Sequence, residues 1–328
     1  MDVRRLGILR ELGERGSVGA TADAMKITPS AVSQQLKTLE REAGYRLVEP
    51  AGRGVVLTEA GRALARTATE IATAIERAEG AWREFMAQPA GRVTLTTFPT
   101  GAEMLLPGVL TRVADLTAGV VGRPGPGTPG GVVGRPGPGT PALELECSDV
   151  EVTGDYGELT TDHDVVVSDT PATSSTWHER GLQVVPLMTE PLDVAVPQDH
   201  PLAARRTLSP KDVADEPWIG VPQGQPFDQV LEKVVAATGE PVRVVQRFAN
   251  NGVVEAMVAG GHGLAILPRF TTRVHSNGLV TKPLTGVRAQ REISALLRPD
   301  RYERPSVRLV LEALQAEAQA VADAHGAA

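Results

Sequence analysis

Apolar residues recur three apart at Val3, Leu6, Leu9 and Leu12, which predicts an amphipathic helix over residues 2–14, with Gly13 and Gly16 placed to stop it. Ser17 can cap a short second helix that reaches Met25 and carries the small residues Ala20, Ala22 and Ala24. After the connection Lys26-Ile27, Thr28 is a good N-cap. Pro29 suits a first helical position, because its missing N–H would have no partner there. A third helix is therefore expected from 29 to about Ala43, ended by Gly44. On a helical wheel Val32, Leu36, Leu39 and Ala43 share one side, while Ser30, Ser33, Gln34, Lys37 and Arg41 gather on the other. Glu40 and Glu42 lie outside that arc, so the acid-free strip offers hydroxyl, amide and cationic groups, the types that read base edges and hold phosphates in double-stranded DNA.

Beyond Tyr45-Arg46-Leu47-Val48, residues 51–62 place Gly52 and Gly54 around Arg53 ahead of Val55-Val56-Leu57, which reads as a small β-hairpin with a basic tip. From Thr58 to about Met86 the chain is rich in alanine, and one long helix is expected. In it Leu64, Ile71, Ile75, Ala78, Trp82 and Phe85 follow spacings of 7, 4, 3, 4 and 3, the rhythm of a coiled-coil seam. That seam calls for a partner helix, or else for packing on the chain's own second half. Pro89-Ala90-Gly91 is a hinge. Strand and helix signals then alternate: strands at 93–98, 143–147, 164–168, 192–197, 217–221, 242–248 and 264–268, with helices after the first and over 226–237 and 251–259. This is the mark of an α/β domain with a mostly parallel sheet.

One stretch breaks the pattern. GVVGRPGPGTPG (119–130) is followed at once by GVVGRPGPGTPA (131–142), and 15 of the 23 residues in 119–141 are Gly or Pro. Such a segment builds neither core nor ladder, and a flexible loop enlarged by tandem duplication is expected. Its length of 328 residues suits two domains with connecting structure. The net charge of −7 would disfavour nucleic acid if spread evenly, yet residues 1–66 hold 11 Lys and Arg against 8 Asp and Glu. The N-terminal fifth alone can approach a polyanion. One cysteine, Cys147, can form no internal disulfide and no cysteine-rich metal site, and its expected role is packing. Apolar runs are too short to span a bilayer, and Asp2, Arg4, Arg5, Arg10 and Glu11 stand where a secretory core would be apolar, so a cytoplasmic protein with no membrane partner is expected.

No HExxH, GxSxG or GxxxxGK[ST] occurs, and the six histidines lack metal-ligand spacing. Neither catalysis, metal nor cofactor is expected. Ligand binding fits better, because in open α/β sheets small molecules sit at strand ends where helix N-termini point free N–H groups. Thr100, Ser148, Pro197, Val221, Asn250 and Asn251 all stand at such ends, and helix N-termini favour a small anionic metabolite.

The segments TPSAVSQQLKTLE (28–40) and GRGVVLTEAGR (52–62) together resemble the LysR-type transcriptional regulators, and the run from PWIGV (217–221) to LAILP (264–268) resembles their effector domain. The resemblance implies an α/β protein with an N-terminal winged helix-turn-helix (1–58), a dimerising linker helix (59–88) and a two-lobed effector domain like periplasmic binding proteins (91–328). Lobe I would hold 91–168 and 269–328, lobe II 169–268. It also implies that Thr28, Ser30, Ser33, Gln34, Lys37, Arg41 and Arg53 serve DNA binding. Leu64, Ile71, Ile75 and Trp82 would form a homodimer or homotetramer, the six strand-end residues would line an effector cleft, and RNA polymerase would be a further partner. Where that family has Leu-Phe-x-Arg, this chain has Leu47-Val48-Glu49-Pro50, without the aromatic and the cation. The alternative is a regulator or nucleoid-associated protein that answers to no ligand. A solute-binding protein would share the second half but lack the helix-turn-helix, and an enzyme would need the reactive groups that are missing.

Overall fold

The computed structural model describes residues 1–51, 54–85, 91–118, 143–150, 155–170, 175–274 and 278–326. The duplicated Gly/Pro repeat and Arg53 lie outside them.

Three helices open the chain, α1 (Val3–Arg15), α2 (Val18–Met25) and α3 (Pro29–Ala43). Their ends follow local chemistry. Asp2 and Ser17 accept backbone N–H groups at the starts of α1 and α2, and Gly16, at φ 62°, closes α1 in the left-handed region. Gly13 does not end α1 but sits inside it. Leu6, Leu9, Leu12, Val32, Leu36 and Leu39 meet in one core with Leu47 and Leu57. The strands β1 (Val48–Ala51) and β2 (Gly54–Leu57) pair antiparallel as the wing. The linker helix α4 (Glu59–Phe85) packs on α1 at its beginning.

The second half comprises β3 (Gly91–Thr97), α5 (Pro99–Ala118), β4 (Leu143–Asp149), α6 (Tyr156–Leu159), β5 (Val165–Ser168), α7 (Ser175–Glu179) and β6 (Gln183–Pro197). There follow α8 (Pro210–Val213), β7 (Pro217–Gly220), α9 (Pro226–Thr238), β8 (Arg243–Arg247), α10 (Asn251–Ala259) and β9 (Ala265–Pro268). The chain ends with β10 (Leu279–Pro283), β11 (Gln290–Leu297), α11 (Pro299–Tyr302) and α12 (Pro305–Ala324).

One sheet runs β10-β6-β11-β5-β3-β4, with β9 also on β6. The sheet is mixed, contrary to the mostly parallel expectation: β3 pairs β4 and β5 in parallel, whereas β11, β10 and β9 all pair antiparallel with their neighbours. Two lobes arise because β6 serves both. Its first half, to Pro191, pairs with β11 in lobe I, and from Leu192 onward it pairs with β9 and β10 in lobe II. Residues 183–191 thus sit with lobe I and 279–283 with lobe II, the reverse of the division at 169–268 read from the sequence. Lobe I has its own core, which includes Leu95, Leu105, Val166, Leu296 and Leu314, and lobe II another, which includes Val194, Trp218, Val230 and Ile266. No helix among the described residues is long and apolar enough to cross a membrane.

Further along, α4 crosses α11. A Cβ added to Gly80 would stand 2.8 Å from the carbonyl oxygen of Glu303, and Arg77 bonds the Glu303 carboxylate at 2.8 Å. The linker helix therefore lies directly on lobe I of its own chain at that point.

Candidate nucleic-acid interface and interlobe cleft

The recognition face on α3 is fixed by its start. Thr28 Oγ1 accepts the N–H of Ala31 at 3.2 Å with Pro29 in the first turn, and burial of Val32, Leu36 and Leu39 turns Ser30, Ser33, Gln34, Lys37 and Arg41 to solvent. All five are exposed, as is Thr28. Ser33 donates to the carbonyl of Pro29 at 3.0 Å, and Arg41 is folded back onto the hydroxyl of Thr38 at 3.0 Å. Glu40 stands at the edge of this face with one oxygen engaged: Oε1 accepts the N–H groups of Leu47 at 2.9 Å and Val48 at 3.3 Å, tying the helix to the wing.

Beside the face lies an open hollow lined by Gln34, Lys37, Glu40, Arg41, Gly44, Tyr45 and Arg46. Tyr45, 72% exposed, and Arg46 were not among the residues expected from the sequence. They follow Gly44, whose left-handed turn ends α3 and throws both side chains outward. That turn was the signal available. An aromatic ring and a cation thus stand close to where Val48 and Pro50 supply neither.

The cleft between the lobes encloses about 850 Å³. Of the six strand-end residues, Thr100, Asn250 and Asn251 line it, and Ser148, Pro197 and Val221 do not. Ser148 turns its hydroxyl across the sheet to Thr96 at 3.0 Å. Val221 is buried in the core of lobe II. Pro197 fails for a topological reason. β6 enters lobe II at Leu192, opposite the last residue of β9, so its own carboxyl end lies at the far end of the lobe.

The centre of the cleft is a group that sequence spacing did not indicate. Arg291, at the start of β11, is buried, and its Nε donates to Glu190 at 2.7 Å, while its two terminal nitrogens donate to Asp169 at 3.0 Å and Thr100 Oγ1 at 2.8 Å. Its guanidinium carbon stands 4.7 Å from the ring centre of Phe98 in lobe I and 5.2 Å from that of Phe227 in lobe II. Burial alone would lower the Arg291 pKa, but the charges of Glu190 and Asp169 outweigh it and hold the cation. Tyr156 donates to the other oxygen of Asp169 at 2.9 Å, and its burial, with that neighbouring charge, pushes the phenol well above its ordinary range. Three helices, α5, α9 and α10, begin at the cleft and bring their positive dipole ends to it, although at α10 Asn250 Oδ1 already accepts the N–H of Val253 at 3.2 Å. The lining also holds four carboxylates, Glu103, Asp149, Asp169 and Glu255, against the guanidiniums of Arg273 and Arg291.

A winged helix-turn-helix joined by one long helix to a two-lobed domain with a polar cleft defines a DNA-binding regulator with an effector domain. The family model for bacterial regulatory helix-turn-helix proteins of the lysR family matches residues 3–62, and that of the LysR substrate binding domain matches 141–319. The chain belongs to the LysR family of DNA-binding transcriptional regulators. It is similar to the RuBisCO operon transcriptional regulator of Allochromatium vinosum, at 22% identity over 320 residues and 97% of each chain. The regulator OxyR of Escherichia coli K12 is 24% identical over 321 residues, 96% of this chain and 95% of its own. Among solved structures, a full-length OxyR variant from Pseudomonas aeruginosa shares the fold with a TM-score of 0.62 at 17% identity, covering 96% of this chain and 95% of that one. HinK, a LysR family regulator from the same organism, does so at 0.54 and 20%, covering 96% and 98%.

Proposed function

We propose that the protein is a homo-oligomeric, cytoplasmic regulator that reads operator DNA with Gln34, Ser30, Ser33 and Lys37, grips phosphates with Thr28, Arg41, Arg46 and the Arg53 of the wing, and responds to a small molecule held between its lobes. RNA polymerase is the partner through which bound protein would act. The observation that carries the effector reading is the polar cleft. A ligand that prefers one arrangement of the lobes shifts the chain toward it, in proportion to its differential affinity.

The lining argues for a ligand of mixed charge. Helix N-termini favour an anionic group, as the strand-end pattern suggests, while Asp149 favours a cationic or donor-rich one, Glu103 and Asp169 being already paired with Arg273 and Arg291. A small zwitterion satisfies both. Several relatives are called hydrogen peroxide-inducible genes activators. With one cysteine this chain can close no internal disulfide, and burial, helped by the charge of Glu146, pushes the Cys147 thiol up to about 11, so thiol-based peroxide sensing is not favoured here.

Thermal denaturation against a panel of dicarboxylates, amino acids and diamines tests the reading. A saturable rise in Tm with a zwitterion, abolished by Asn250→Asp or Thr100→Val, is the expected result. A rise that survives both substitutions would place the ligand elsewhere.

A further inference from the structure

The strand β11 joins the cleft to the DNA-binding domain. β11 begins beside the cleft with Arg291 and ends at Leu297, and the next residue, Arg298, is only 4% exposed. The Arg298 guanidinium stands 3.1 Å from Glu11 and 2.8 Å from Glu14, both on α1, and 3.6 Å from Asp300. Two further pairs flank this grip. Arg10 meets Asp300 at 3.3 Å, and Arg15 meets Asp162 of lobe I at 2.9 Å. The polar side of α1 is thus docked on lobe I through interleaved charges, at the opposite end of β11 from the effector cleft.

The strand between the two arginines is extended throughout, its ladder with β6 shifting register once, between Ile293 and Ser294. Seven residues at about 3.4 Å each separate them by roughly 24 Å. β11 is hydrogen-bonded to β5 on one side and β6 on the other, and Ile293, Ser294, Ala295, Leu296 and Leu297 are all buried. Close-packed interiors pass a displacement on instead of absorbing it. At both ends a buried arginine is held by carboxylates, of which Glu14 alone is exposed, and losing a partner there leaves the guanidinium less compensated. A small shift along the strand therefore decides between a made and an unmade contact.

We propose that β11 couples the cleft to the DNA-binding domain: displacement of Arg291 from Asp169 and Glu190 moves the strand, loosens Arg298 from Glu11 and Glu14, and frees the winged helix-turn-helix from lobe I. The inference rests on the cleft being the effector site, but its test uses no effector and so can fail independently of that reading.

In the full chain carrying Cys147→Ser, Asp23→Cys on α2 and Glu144→Cys on β4, spin labels report the distance between the two domains. The expected result is one narrow distance distribution for the parent, lost on Arg298→Gln. The same loss is expected on Asp169→Asn, acting from the far end of the strand, and the double variant should broaden no further than Arg298→Gln alone. Thr100→Val, which removes one acceptor from Arg291, gives a second route from the cleft should Asp169→Asn fail to fold. A parent-like distribution in a folded cleft variant would overturn the proposal, as would a double variant broader than either single one.

Discussion

The Nε of Arg291 lies 2.7 Å from a carboxylate oxygen of Glu190, and both side chains are sealed from solvent although 101 residues separate them in the chain. Neither charge has water to fall back on, so each depends on the other.

Glu190→Gln should accordingly lower stability by about 3–5 kcal/mol, since one partner of a buried ionic contact is neutralised while the guanidinium stays behind. Urea denaturation of the full chain measures it. A midpoint equal to that of the parent would mean that Asp169 and the two phenylalanine rings suffice to hold Arg291.

Gln34→Ala should relax sequence preference by ~1–3 kcal/mol at one base pair of each half-site, whereas Arg53→Ala or Arg46→Ala should weaken all sequences alike and flatten the salt dependence. Operator titrations at several salt concentrations separate the two behaviours. Unchanged operator binding by all three variants would move the interface away from α3 and the wing.

Oligomer formation is expected to depend on the exposed part of the α4 seam. Leu64 and Ile71 pack against the core of their own DNA-binding domain, while Ile75 is 41% and Trp82 64% exposed. Ile75→Asp should therefore dissociate the assembly and leave each domain folded, as followed by light scattering. Persistence of the parent mass would show that the seam serves contacts within one chain.

For Cys147 the expected pH dependence follows from burial, which holds the thiol protonated to about pH 11. At pH 8 alkylation of the native protein should be slow, and the rate should rise roughly tenfold per pH unit toward 11, because only the thiolate attacks. Burial favours the neutral form, so this residue favours folding most below its ordinary value of 9.0, and that contribution is lost as pH rises through about 11. Fast labelling at pH 8, in protein shown by circular dichroism to be folded, would contradict the packed position.

Legibility in the sequence differed by the range of the signal. The ends of α3 were readable to the residue because Thr28, Pro29 and Gly44 act within one helical turn. The first half of β6 was not, since Pro186 and Pro191 interrupt what would otherwise alternate, and prolines argue against an interior strand until its neighbours are known. Strand ends led to Thr100, Asn250 and Asn251, which line the cleft, but the same rule led away from it at Pro197 because strand direction is a property of the assembled sheet. The Arg291 cluster joins residues up to 191 positions apart and has no local signature at all.

The strand β6 runs unbroken from one lobe into the other. Each half of that strand is laddered within its own lobe, so the Pro191-Leu192 junction is where one lobe can bend or twist against the other while both ladders stay intact. A bound molecule would register as a change of angle at that junction, which the DNA-binding domain would receive as a change in its contact with lobe I.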